Sequence, residues 1–208
     1  MRNIWFTSDT HFNHKNIVRG TSSWGTLGEG SHQSTRDFDT LEEHNQTLID
    51  NFNQLIKPGD EWYHLGDVAF GGHENIKVFM DAINCKNVHL IFGNHDQHIE
   101  PVDSPYRKLF KSCRQRFELS LRVGTETSGK FGKTRIFMSH YAHRVWNQSH
   151  HGTIHLYGHS HGTLSGIGKS MDVGVDTNNL YPYHLDEILD IMKTKETAII
   201  DHHNSNTN

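Results

Sequence analysis

Five apolar runs in this chain each stop at a cluster of aspartate, asparagine or histidine: Asp9-Thr10-His11, Gly66-Asp67, Gly93-Asn94-His95-Asp96, Ser139-His140 and Gly158-His159-Ser160-His161. A short apolar run bounded by polar residues reads as a buried strand. Loops at the carboxyl ends of strands are where α/β sheets gather their ligand sites. Taken singly, each cluster has a bland reading: His159 and His161 as surface imidazoles, Gly66-Asp67 as a turn, Asn94 as a cap. Five in fixed order, each behind a strand, point instead to one crevice. Together they hold enough imidazole and carboxylate for two hard-to-borderline metal ions, with a histidine to spare for proton transfer.

Residues 4–7, 62–65 and 88–92 are predicted strands, and residues 40–56 and 76–83 predicted helices. In the first helix Leu41, His44, Leu48, Phe52 and Leu55 recur near helical spacing, and Lys57-Pro58-Gly59 stops it. Residues 117–123 and 134–138 read as a hairpin, residues 153–157, 170–174 and 197–200 as further strands, and residues 185–192 as a last helix. Residues 14–39 are rich in Gly, Ser and Thr without periodicity, an irregular excursion able to wall a cleft. Residues 1–201 are expected to form one domain and 202–208 a disordered tail. Strand–helix alternation followed by a strand-rich half predicts mixed sheets packed face to face with helices outside.

A net charge of -4 gives no broad attraction for a nucleic-acid duplex. No stretch reaches the roughly 18 apolar residues of a membrane span, and the opening run, residues 1–6, lacks the hydrophobic region of a signal peptide. Cys85 and Cys113 lie far apart and match no metal spacing, so reduced thiols and a cytoplasmic setting are expected. Gly132-Lys133-Thr134 lacks the earlier glycine of a phosphate loop, since Thr127 stands there, and Gly25, Gly28 and Gly30 do not follow a strand. Neither an NTPase nor a dehydrogenase is supported.

The ordered set resembles the calcineurin-like metallophosphoesterase superfamily, whose pattern is D-x-H, G-D, G-N-H-[DE], a separate H, and G-H-x-H. The resemblance runs from Asp9 to His161, with Asp172 and Asp176 as its C-terminal completion. It implies an α/β fold, a four-layer α/β/β/α sandwich with two mixed β-sheets and the metal site on loops at strand carboxyl ends. Asp9, His11 and His161 would bind one ion, Asn94, His140 and His159 the other, and Asp67 would bridge them. The one-residue gap in D-x-H and H-x-H suits two side chains of an extended segment facing one side. Two divalent ions against two carboxylates leave about two positive charges, which attract a phosphate. Mn²⁺ is the first expectation, with Fe²⁺, Zn²⁺ or Ni²⁺ as alternatives.

By the same resemblance a metal-bridging hydroxide attacks phosphorus and His95 protonates the leaving oxygen; Asp96, next in sequence, is a candidate to hydrogen-bond the His95 ring, with a structural turn aspartate as its other reading. Among neighbours, Arg36 is a candidate phosphate clamp and His14 a candidate substrate contact. His143, with Arg144 and Trp146, is a candidate lining of a base-stacking pocket. Asp172 and Asp176 suit carboxylates that orient ligand histidines.

The expected activity is hydrolysis of a phosphodiester or phosphomonoester, a small nucleotide first. The expected partner is that small substrate, with neither double-stranded DNA nor a membrane. A nuclease on single-stranded ends, tracked by Arg107, Lys108, Lys111, Arg114 and Arg116, is the alternative. A non-catalytic scaffold of the same fold ranks below it, because the ligand positions and His95 are all intact.

Overall fold

A computed structural model of the chain describes residues 3–18, 36–123 and 132–201. Its described elements run β1 (Ile4–Thr7), α1 (Leu41–Leu55), β2 (Glu61–His64), α2 (Glu74–Ala82), β3 (Val88–Ile91), β4 (Ser112–Arg114), β5 (Arg116–Val123), β6 (Gly132–Ser139), β7 (Ile154–Tyr157), β8 (Ser170–Asp172), β9 (Tyr183–His184) and α3 (Leu185–Lys193). They form two mixed sheets, ordered β4-β3-β2-β1-β9 and β5-β6-β7-β8. The first is parallel except for β9. In the second, β6, β7 and β8 are parallel and β5 pairs antiparallel with β6, the hairpin that residues 117–138 led us to expect.

Period-2 alternation sorts the strand side chains onto two cores. Trp5, Trp62 and Leu90 face one way, where Leu48 and Phe52 of α1 and Ile76, Phe79 and Met80 of α2 cover them. Phe6, Tyr63 and Ile91 face the other way, against Ile136, Met138, Ile154 and Leu156 of the second sheet and Ile188 and Met192 of α3. Each such side chain stabilises the fold by about 1.5–3 kcal/mol when fully buried. Thr40 caps α1 by accepting from the Glu43 N–H at 3.1 Å, and Glu42 and Glu43 lie in its first turn, where the helix dipole favours acids.

Residues 197–200 form no strand, contrary to expectation. Ile199 and Ile200 are 40% and 42% exposed, so this run of β-formers buries no face against a sheet. Two short strands, β4 and β9, went unforeseen because three and two residues are too few to show a period. Residues 15–17 form a 3₁₀ turn. Most of the expected irregular loop and the expected tail lie outside the described residues.

The two sheets meet at one end. Beyond β1, Ser8 donates its N–H to the Val173 carbonyl and accepts from the Val175 N–H, both at 3.1 Å. The carboxyl ends of β1, β2, β3, β6 and β7 deliver the five polar clusters to this junction.

Candidate metal centre

Five of the seven expected ligands have a left-handed backbone: Asp9 at φ 56°, His11 at 44°, Asp67 at 59°, His159 at 66° and His161 at 47°. The expectation of extended D-x-H and H-x-H segments is therefore corrected. Both pairs converge because alternate residues turn into the left-handed region, which non-glycine residues occupy only when their surroundings hold them there. The holding bonds run between loops. Asp9 N–H donates to Gly66 O at 2.9 Å and His11 N–H to Asp67 O at 3.0 Å. Space is equally constrained. A Cβ at Gly93 would strike the Asp67 carboxylate, and one at Gly158 would strike that of Asp9, which accounts for glycine before each cluster.

Two groups of donors result. Ligand atoms of Asp9, His11 and His161 lie within 4.8 Å of one another, as do those of Asp67, His140 and His159. Asp67 joins them: its Oδ2 is 3.5 Å from His11 Nε2 and 3.5 Å from His140 Nε2. Asn94 stands at the second group, with Oδ1 3.1 Å from His140 Nε2.

These residues fit a metal by their unmet valences. Asp9 Oδ1 and both His11 nitrogens are buried without a hydrogen-bond partner, and an unsatisfied buried polar atom costs about 1–3 kcal/mol. His140 Nδ1 lies 2.7 Å from the Leu65 carbonyl, which only accepts, so that nitrogen carries the hydrogen. Its Nε2 then faces two more acceptors, Asn94 Oδ1 and Asp67 Oδ2. Three acceptors around one imidazole call for a cation, either a second proton or a metal. In protein alone, burial lowers the His140 pKa, but Asp67 and Asp9 outweigh it and push it up to about 9. Burial raises the Asp67 carboxyl, and His140 and His11 outweigh that, holding it well below the usual range.

Arg36 is not a substrate clamp. It is fully buried, and its donors are taken: Nε and one terminal nitrogen reach Asp176 at 2.7 Å each, and the terminal nitrogens also reach Asp9 O at 2.6 Å and Thr10 O at 3.1 Å. Asp176 Oδ2 in turn accepts from His161 Nδ1 at 2.7 Å, which leaves the His161 Nε2 lone pair for a metal. Burial raises the Asp176 carboxyl, yet Arg36 and His161 hold it far below the usual range. Asp172 fixes the H-x-H loop, accepting from Gly162 N–H at 2.8 Å and Ser160 Oγ at 3.1 Å.

Asp96 does not orient the His95 ring. Its oxygens accept from three backbone groups, Gly93 at 2.7 Å, Asp67 at 2.9 Å and Val68 at 3.0 Å, and so lock the G-D and G-N-H-D loops together. Burial pushes its carboxyl up to about 6. The His95 backbone N–H donates to Asp67 Oδ1 at 2.9 Å, and its exposed ring lies 5.7 Å from that of His11 and 4.4 Å from that of Phe70. His14 stacks on Phe70 at 3.7 Å and lies 5.3 Å from His11, beside the first group; burial and the His11 charge lower its pKa to about 3.

His143 is not brought to the ligand groups. Its ring packs on Phe137 and His155 at 5.1 and 5.4 Å, and Trp146 is core, its Nε1 donating to Thr153 O. Sequence reading passed over Tyr141, half exposed beside His140 and His159, although its place directly after a ligand was a usable signal. It also passed over Phe70, and over His64, a fully buried imidazole whose Nε2 lies 2.8 Å from Thr10 Oγ1 between the first two clusters.

Residues 2–200 match the sequence model of the calcineurin-like phosphoesterase family. An uncharacterized protein of Methanocaldococcus jannaschii is 34% identical over 99 residues, a stretch of 47% of this chain and 48% of that protein, so the match spans about half of the relative. The Gene 66 protein of Mycobacterium phage L5 is 26% identical over 180 residues, covering 79% of this chain and 80% of its own. That of phage D29 is 23% identical, with coverage of 96% and 100%. A crystal structure of a protein of unknown function from Aquifex aeolicus superposes with a TM-score of 0.57 at 19% identity, over 92% of this chain and all of that one, a likeness of fold.

Proposed function

The chain belongs to the calcineurin-like phosphoesterase family, and from that membership we propose that it hydrolyses a small phosphoester, a nucleotide first, with two divalent cations. Family and ligand groups together support a metal-dependent phosphoesterase. The observation that carries the two-ion reading is Asp67 Oδ2, equally distant from an imidazole nitrogen of each group. When bound, a pair of cations lowers the pKa of a shared water and neutralises phosphoryl oxygens.

The chain's own residues do the rest. Asp9, His11 and His161 would hold one cation and Asn94, His140 and His159 the other, with Asp67 standing between the two groups. Asp176 and Leu65 O take the ring hydrogens of His161 and His140 and so aim their free lone pairs inward. His95, exposed beside the first group and anchored through its backbone to Asp67, gives a proton to the leaving oxygen. Phe70 backs that ring and His14. Mn²⁺ is the proposed metal, and Fe²⁺, Zn²⁺ and Ni²⁺ suit the same N/O donors.

The nuclease reading has less support. Arg107 donates to Glu100 O at 2.6 Å, and Lys111 pairs with Glu61 at 2.7 Å. Two of the five cations proposed to track a strand are thus engaged within the protein. Among the described residues no helix is long and apolar enough to cross a membrane; a cytoplasmic setting is proposed with the reduced thiols Cys85 and Cys113.

The test measures metal content and turnover together. Purified protein is loaded with each metal and assayed on aryl phosphates, cyclic nucleotides, dinucleotides and single-stranded oligomers. Two ions per chain with turnover of small esters is the expected result. One ion per chain, or no turnover with any metal, would overturn it.

A further inference from the structure

We propose that Tyr141 donates a hydrogen bond to the phosphoryl group of the substrate, a role that rests on the phosphoesterase activity proposed above. Tyr141 follows the ligand His140 directly, and its ring packs edge-to-face against two imidazoles of the second group, 5.1 Å from His140 and 4.7 Å from His159, which themselves lie 5.2 Å apart. Its backbone is pinned as well, the carbonyl accepting from Ser139 Oγ at 2.7 Å. Ring and backbone are fixed. The residue is nevertheless 50% exposed, so the phenol borders the open side of the site.

The hydroxyl is close to a partner without being committed to one. Oη lies 3.4 Å from Asn94 Oδ1, well beyond the roughly 2.7–2.8 Å usual for an O–H···O bond. Asn94 Oδ1 is also the oxygen that faces His140 Nε2 and is assigned to the second cation. An acceptor that gives a lone pair to a cation becomes a weaker acceptor for the phenol. Rotation about a single C–O bond then turns the proton toward any oxygen within the same reach.

The burial of Arg36 leaves this role to be filled. Phosphoryl oxygens gain charge as the ester bond breaks, and a fixed donor aimed at them stabilises that charge. Arg36 is spent on Asp176 and on two backbone carbonyls. His95 is assigned to the leaving oxygen and His159 to a cation. Among the described residues Tyr141 is a neutral donor that ring packing sets beside the second group, on the side where non-bridging oxygens would lie. This selects for esters whose phosphoryl group keeps such an oxygen free on the side of the second group, as phosphodiesters and phosphomonoesters both do.

Tyr141→Phe keeps the ring and deletes the hydroxyl. In the Mn²⁺-loaded full chain, three quantities are compared with the unaltered protein: Mn²⁺ affinity, affinity for inorganic phosphate by calorimetry, and kcat on an aryl phosphodiester. The expected result is an unchanged Mn²⁺ affinity, phosphate binding weaker by about threefold to tenfold, and kcat lower by about tenfold or more. Phosphate binding and kcat both within twofold of the unaltered protein would overturn the proposal. So would a weaker Mn²⁺ affinity with phosphate binding restored at saturating Mn²⁺, which makes the phenol a support for Asn94 only. Absence of any phosphate binding to the unaltered Mn²⁺ protein would overturn it too. An unaltered protein that binds phosphate but hydrolyses no ester would refute the activity instead, and the phosphate comparison would still decide on Tyr141.

Discussion

The two ligand groups are built differently. Around the first, Asp9 and His11 are buried, and His161 is tied through Asp176 to a fully buried arginine that also grips the carbonyls of Asp9 and Thr10. Around the second, Asn94 and His159 are exposed and Tyr141 half exposed; only Asp67 and His140 are buried. One group is set by charge pairing inside the protein. The other leaves a wide face to solvent. An enclosed, braced group suits an ion that stays, and an open one suits an ion whose coordination changes as substrate comes and goes.

The largest effect should come from the residue that erases the difference. Asp67→Ala removes the shared carboxylate, so metal analysis should find loss at both groups and turnover should fall by about 10³-fold or more. Retention of two ions would break the comparison at its root. Next comes Arg36→Met, which leaves the Asp176 carboxylate buried and without its guanidinium. A loss of about 3–5 kcal/mol in denaturant unfolding is expected, together with metal affinity weaker by 10–100-fold, as for the loss of a group that orients a ligand. An unchanged midpoint would show that the brace carries no load.

A third test lies away from both groups. His155 is fully buried in β7; its Nε2 accepts the His143 N–H at 2.9 Å, and burial lowers its pKa to about 4. The unfolded chain protonates near 6.5 and the folded one near 4, so the neutral imidazole contributes stability above 6.5 that is lost as pH falls toward 4. Between pH 7 and pH 5 this amounts to about 2 kcal/mol. His155→Gln should shrink the pH dependence of the unfolding midpoint by about that much, and an unchanged slope would assign the dependence elsewhere. The smallest effect belongs to the open group: Asn94→Ala should weaken binding of one ion by about tenfold while stability moves by less than about 0.5 kcal/mol, as at exposed positions generally.

Much of this architecture was legible because the strands are apolar and end abruptly. Trp62 through His64 and Val88 through Ile91 announce themselves by side-chain type, and the carboxyl-end rule then places Asp67 and Asn94 on one side. Arg36 was misread for a reason of the same kind. Single-sequence reasoning puts an arginine on the surface by default, and its partner Asp176 stands 140 residues away, with no local pattern to announce it. Asp96 was misread because proximity in sequence to His95 suggested a contact, whereas tight loop geometry turns its carboxylate back onto three N–H groups. The left-handed ligands were invisible for a further reason. Asp and His are enriched among non-glycine residues at positive φ, but that preference is too weak to mark a single position.

The bonds that complete the centre span long loops: His159 N–H to Asp9 Oδ2 closes 150 residues, and Arg36 to Asp176 closes 140. Contacts of such separation form after local ones, because chain entropy must first be overcome. Chains still lacking their last quarter carry Asp9, His11 and Asp67 but neither His159 nor His161, and so complete neither trio. Both candidate trios are therefore completed only by residues that follow β7, so a cation held by either would join the first and second halves of the chain.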